Sequence, residues 1–276
     1  MYPIGLSTTS KVVCEELFEQ YSSAGISAME ISVKMEDYPY INYEDLRRWS
    51  EKHQVKLWSF HLPFKPFEEI DLAQKELHES SLKYLSELTK RAAEAGMQKI
   101  VIHSSGVGIR DDNRAERMKY AKQGLASLAD TAAEYGAVIA VENLPPSCLG
   151  KNSKEIMELI SANDKLRVCF DTNHLLDEKA TDFMEKLGDK IVTIHVNDYD
   201  FIEERHWLAG EGKIDWQEIL RTLKKINYQG VWLYEVAFVP ATPNIVRSRA
   251  LTCEDFVRNA KEIFENRELT VLEKGI

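Results

Sequence analysis

Along the chain, short apolar and β-branched runs alternate with longer segments whose apolar positions recur every three to four residues. The short runs are 3–7 (PIGLS), 28–33 (AMEISV), 55–61 (VKLWSFH), 99–103 (KIVIH), 138–142 (VIAVE), 166–171 (LRVCFD), 191–196 (IVTIHV) and 231–236 (VWLYEV). Near-continuous apolar runs, rather than strict alternation, predict strands of a parallel sheet covered on both faces. The segments between them predict helices. Residues 11–24 bring Val12, Val13, Leu17 and Phe18 onto one stripe, and residues 74–95 do the same with Leu77, Leu82, Leu85 and Leu88. Asn42 and the box Asp215–Glu218 mark helix starts, while Gly25, Gly96, Gly136 and Gly188 mark left-handed stops shortly before strands.

Eight strands, each followed by a helix, predict an α/β fold of the (β/α)8 TIM-barrel type. No Pro/Gly/Ser-rich linker and no composition shift divides the chain, so a single barrel domain over residues 1–276 is expected. The alternative, a doubly wound open sheet, usually carries a glycine-rich phosphate turn after its first strand. Residues 5–10 (GLSTTS) are not GxGxxG.

Composition narrows the class. The chain is 44% hydrophobic, with only 13 Gly and 8 Pro, which excludes disorder and collagen-like structure. A formal charge of −10 argues against a broad electrostatic grip on nucleic acid. The most basic loop-like stretch, residues 108–119, also contains three acidic side chains and reads as a solvated helix start. Cys14, Cys148, Cys169 and Cys253 are scattered without a CxxC pair, as expected of reduced thiols. The N-terminal residues lack the charged and apolar regions of a signal peptide, and no window is apolar enough to span a membrane. A cytoplasmic protein is expected.

The chemistry-bearing signal is positional. Six of the eight strands finish in a residue suited to metal binding or acid–base work: His61, His103, Glu142, Asp171, His195 and Glu235. His174 and His206 lie in loops that follow strands, whereas His53 and His78 fall in helical patterns and are expected at the surface. In a (β/α)8 barrel the C-terminal strand ends surround one mouth, so these residues converge. Carboxylates ending apolar strands would be costly to bury unpaired, and a divalent cation is an economical partner. Glu142, Asp171, His195 and Glu235 come from contiguous strands and form an oxygen-rich set suited to Mn2+, Mg2+ or Co2+, with Zn2+ admitted. Added ligation by His61, His103 and His206 would favour Zn2+ and a multinuclear site. Trp58, Phe60, Phe64, Trp207 and Phe238 are read first as core aromatics near strand ends and, alternatively, as an apolar wall of the mouth. Asp198 is a candidate either for orienting His195 or for capping a loop.

The motifs FHLPF (60–64), VIHSS (101–105), VENLP (141–145), DTNH (171–174), IHVND (194–198), ERHWLAGEGKIDW (204–216) and YEV (234–236) occur in this order. Together they resemble the xylose isomerase-like barrel superfamily, which includes sugar isomerases and epimerases, inosose dehydratases and the endonuclease IV type of abasic-site nuclease. That resemblance implies a divalent metal held by Glu142, Asp171, His195 and Glu235. Glu142 and Glu235 would transfer protons through a metal-stabilised enediolate, and His174 would contact a substrate oxygen. His61, His103 and His206 would add substrate contacts or further metals. The implied reaction is isomerisation or epimerisation of a sugar, sugar phosphate or cyclitol-type carbonyl compound, by a protein that could self-associate.

The same resemblance admits an alternative, a zinc-dependent phosphodiester hydrolase at abasic DNA sites. Its three-zinc ligand set would map onto His61, His103, Glu142, Asp171, His174, His195, Glu204, His206 and Glu235. Glu204 stands where that group has Asp. On the sugar side, Phe201 occupies a position where ketose 3-epimerases of the superfamily place Arg, and the nearest arginine is Arg205.

Overall fold

A computed structural model describes all of the chain except residues 10, 67, 176–177, 240–244 and 273–276. Eight strands alternate with eight α-helices. The strands are β1 (Ile4–Ser7), β2 (Ala28–Ile31), β3 (Lys56–His61), β4 (Lys99–Ile102), β5 (Val138–Glu142), β6 (Arg167–Asp171), β7 (Ile191–His195) and β8 (Trp232–Tyr234). The helices are α1 (Glu15–Ala24), α2 (Tyr43–His53), α3 (His78–Glu94), α4 (Asp111–Glu134), α5 (Ser153–Ile160), α6 (Ala180–Leu187), α7 (Trp216–Lys225) and α8 (Cys253–Phe264).

All paired strands are parallel, in the order β7-β6-β5-β4-β3-β2-β1-β8. A parallel bridge between Val196 and Tyr234 joins the two ends of that order and closes the barrel. The predicted starts and stops fall where the caps form. Asn42 accepts the amide of Asp45, and Asp215 accepts those of Gln217 and Glu218. Gly25 adopts φ +93° as the left-handed residue that ends α1 and turns the chain toward β2. Helix α1 begins at Glu15 rather than at residue 11, because Cys14 is extended and stands as its N-cap.

Two apolar regions organise the packing. The larger fills the space between helices and the outward face of the strands, with Phe18, Tyr21, Phe60, Phe170, Phe183 and Phe256 fully buried in it. The smaller plugs the barrel itself, through Ala28, Trp58, Val231 and Leu233 on one side and Val101, Ala140 and Cys169 on the other. The Trp58 indole donates across the barrel to Thr193 Oγ1 at 3.0 Å.

Side chains alternate along a strand, so the residue two positions after each plug residue faces inward one layer higher. Val101 leads to His103, Ala140 to Glu142, Cys169 to Asp171, Thr193 to His195 and Leu233 to Glu235. The plug is thus the floor of whatever these five residues build. Among the described residues no helix is long and apolar enough to cross a membrane.

Candidate active site

Glu142 stands at the centre of the upper layer, fully buried at the end of β5. Four imidazoles surround its carboxylate. Oε2 lies 3.1 Å from His61 Nε2 and 3.2 Å from His103 Nε2, while Oε1 lies 3.0 Å from His195 Nδ1 and 3.6 Å from His174 Nδ1. His195 Nδ1 also faces Glu235 Oε2 at 3.1 Å and Asp171 Oδ2 at 3.7 Å. Donor atoms of Glu142, Asp171, His195 and Glu235 all lie within 4.8 Å of one another, close enough to share one cation. Three more sets meet the same test: His61 with His103 and Glu142, Glu142 with Cys169 and His195, and His174 with Glu204 and His206.

Backbone and side-chain partners fix how these groups point. His61 Nδ1–H donates to the Leu62 carbonyl at 2.8 Å, and His174 Nδ1–H donates to the Asn143 carbonyl at 2.9 Å. His206 Nδ1–H has the Glu235 carbonyl at 3.2 Å. With Nδ1 committed, the Nε2 of each ring faces carboxylate oxygen, either as a protonated donor or as a lone pair aimed toward a shared cation. This pattern is common behind metal-ligating histidines. Asp171 is held as firmly: its amide and carbonyl exchange hydrogen bonds with the Asn143 side chain at 2.8 and 2.9 Å, and Asn197 Nδ2 donates to Oδ2 at 3.1 Å.

The electrostatics follow from that crowding. Burial alone would raise the Glu142 carboxyl, but His195, His103 and His61 hold it well below the usual range. Asp171 is lowered in the same way, with burial overcome chiefly by His174 and His195. Burial disfavours the His61 cation, yet the bond to Glu142 lifts it to about 9. His174 is lifted against burial to about 10 by Asp171 and Glu204, and His206 to about 9 by Glu204. His103 goes the other way, because burial outweighs its bond to Glu142. In the absence of a cation, imidazolium charge balances the carboxylates. Metal binding would displace those protons.

All eight residues singled out at strand ends and in the following loops meet in this cluster. The secondary candidates fare unevenly. Phe64 lies against these imidazoles, stacked on His103 with ring centres 4.2 Å apart and edge-on to His61 at 5.4 Å. Trp58 belongs to the floor, Phe60 packs outward on Tyr38 and Tyr43, and Phe238 stacks on Phe256. Trp207 pairs by its backbone with Asp198.

Asp198 proves to be a loop clamp. Its carboxylate accepts the amides of Tyr199, Gly210 and Ile214 and the Trp216 indole N–H. Arg205 does not fill the place of the arginine missing at Phe201, since its guanidinium is spent on Asp200 at 2.8 and 3.0 Å and on Glu203 at 2.8 Å. His78, expected at the surface, is buried with Nδ1 donating to the Leu72 carbonyl at 2.7 Å. The loop before α3 folds over it, which helical periodicity does not register.

Sequence reading passed over Glu30. It is fully buried in β2, with Oε2 accepting from Ser59 Oγ at 2.8 Å and from His195 Nε2 at 3.1 Å. A signal existed: an acid in the middle of an apolar strand, two residues after Ala28, falls on the inward face.

A family model described as xylose isomerase-like TIM barrel matches residues 18–252. A D-psicose 3-epimerase of Enterocloster bolteae is 23% identical over 80% of this chain and 76% of its own length. A probable endonuclease 4 of Acholeplasma laidlawii is 26% identical over 70% of each chain. Among solved structures, a D-tagatose 3-epimerase-like protein superimposes with a TM-score of 0.81 at 21% identity, covering 96% of this chain and 98% of its own.

Proposed function

This chain belongs to the xylose isomerase-like TIM barrel family, and on that premise we propose that it is a divalent-metal-dependent isomerase or epimerase of a sugar-like carbonyl substrate. The observation that carries the reading is the box of Glu142, Asp171, His195 and Glu235, whose donor atoms converge above an apolar floor. Three carboxylates and one imidazole make a hard donor set that fits Mn2+, Mg2+ or Co2+, and the committed ring nitrogens around it fit a metal's surroundings. A cation held there would supply Lewis-acid stabilisation of the negative charge that develops when a proton leaves the carbon beside a carbonyl.

In this reading the chain's own groups have distinct tasks. Glu142 and Glu235 come from strands separated by β6 and β7, so their carboxylates approach a substrate in the mouth from different sides. One removes the proton and the other returns it, to the same carbon for epimerisation or to its neighbour for isomerisation. His61 and His103 hold Glu142 in place through its Oε2 atom. His174 and His206 contact substrate oxygens, and Phe64 offers the apolar face that covers a sugar's C–H groups. The sugar epimerases among the relatives support this kind of activity.

The test is exchange. Incubated with Mn2+ or Co2+ and a panel of ketoses in D2O, the protein should place deuterium on the carbon beside the carbonyl. Glu142→Gln and Glu235→Gln should each abolish the exchange. Wild-type exchange after complete metal removal would overturn the reading.

One observation favours a second reading. The sets His61–His103–Glu142 and His174–Glu204–His206 flank the first, so three cations could be held side by side. Such a centre suits hydrolysis of a phosphodiester at an abasic DNA site, with zinc as the metal. Metal content separates the two: about one ion per chain supports the sugar reading and three zincs the hydrolase. The charge of −10 weighs against DNA.

A further inference from the structure

Glu30 lies below the metal box rather than within it. Its side chain is fully buried, and its Oε1 has no hydrogen-bond partner. Its Oε2 sits 3.1 Å from His195 Nε2, on the opposite side of the ring from Nδ1. The imidazole therefore has one nitrogen facing a single carboxylate and the other facing Glu142, Glu235 and Asp171. Only one nitrogen of a neutral imidazole carries hydrogen. An acceptor placed at Nε2 puts the hydrogen there and leaves the Nδ1 lone pair aimed at the box.

The placement is built by the backbone. The register of β2 on β3 runs Met29 to Leu57 and then Glu30 to Ser59, so Trp58 is an extra residue in β3. That shift sets Ser59 directly beside Glu30, and its hydroxyl holds the same Oε2 at 2.8 Å. A carboxylate so deep would be costly to bury without partners. This one is retained with His195 and Ser59 as its side-chain hydrogen-bond partners, and it is wholly shielded from solvent.

We propose that Glu30 is a positioning residue: through His195 Nε2 it fixes the tautomer and orientation of the imidazole and strengthens Nδ1 as a metal donor. The inference rests on the metal-dependent reading above. Loss of such a partner behind a ligating histidine typically weakens metal binding by about 10- to 100-fold.

The experiment uses the full chain stripped of metal and titrated with Mn2+ by calorimetry, with the visible spectrum of the Co2+-loaded protein as a second readout. Glu30→Gln keeps size and an acceptor but removes the charge. It should weaken Mn2+ binding by about 10-fold or more and shift the Co2+ bands, with the circular dichroism unchanged. Ser59→Ala, which loosens Glu30 without touching His195, should weaken binding in the same direction by a smaller factor. Asp171→Asn serves as the control for the box itself. If Glu30→Gln binds Mn2+ as tightly as wild type and its Co2+ spectrum superimposes, while Asp171→Asn loses the metal, the role of Glu30 is overturned and the metal reading stands. If wild type binds neither ion, both fall together.

Discussion

The two ends of the barrel are made by the same eight strands and are opposites in chemistry. At the floor, Ala28, Trp58, Val231 and Leu233 make an apolar plug crossed by one neutral hydrogen bond, from Trp58 to Thr193. One layer higher, five carboxylates and five imidazoles crowd together, most of them fully buried. The floor is held by removal of apolar surface from water, which needs no partner. The mouth holds charge that is stable only while matched, and each member depends on several others. Stability and function are therefore separated by about two residues along each strand.

The sharpest way to break this comparison is at the mouth. Glu142→Gln should lower turnover by about 10^2- to 10^4-fold or more, the range for removing an acid–base group, with a near-native circular dichroism spectrum. The complementary change at the floor is Trp58→Ala, which should lower unfolding free energy by about 3–5 kcal/mol in a denaturant titration. The folded fraction of that variant should still bind Mn2+ with wild-type affinity. If Trp58→Ala loses metal affinity as Glu142→Gln loses turnover, the two ends are not separable.

The pH response of the metal-free protein sharpens the contrast. His61, His174 and His206 titrate in the folded state at about 9, 10 and 9, above the usual histidine value near 6.5. Groups raised in this way contribute stability that is fully present below about pH 6.5 and is lost as pH rises through 9 to 10. The lowered carboxylates Glu142 and Asp171 act oppositely, contributing above their unfolded values near 4 and losing that contribution as the solution is acidified. The metal-free melting temperature should therefore peak between about pH 5 and 6.5 and fall toward pH 9. Loading with Mn2+ should flatten the alkaline side. The smallest expected effect is that of Phe64→Ala, which should raise KM several-fold and leave metal content unchanged, because the ring stacks on His103 without donating to the box.

The fold was legible because barrel strands buried on both faces must be apolar throughout, and glycines such as Gly25 must stand where helices stop. The site was legible wherever a strand ended in a titratable residue, since closure alone gathers strand ends. Glu30 escaped because β2 is four residues long, too short for alternation to be read, and because its neighbour Ser59 is brought beside it by a register shift no local pattern records. The aromatics near strand ends stayed open between core and wall for a related reason. Trp58 and Phe60 are both strand residues, but which face each takes depends on that same shift. His78 was misjudged because its cover comes from a loop carbonyl.

Asp198 grips the amides of Tyr199, Gly210 and Ile214 and the indole of Trp216, so it fastens both ends of the segment that carries Phe201, Glu204 and His206. That segment is in effect an exchangeable cassette with a fixed socket. Substitutions at the exposed Phe201 should therefore leave the barrel beneath it in place, whereas changes at Glu204 or His206 reach into the cluster itself.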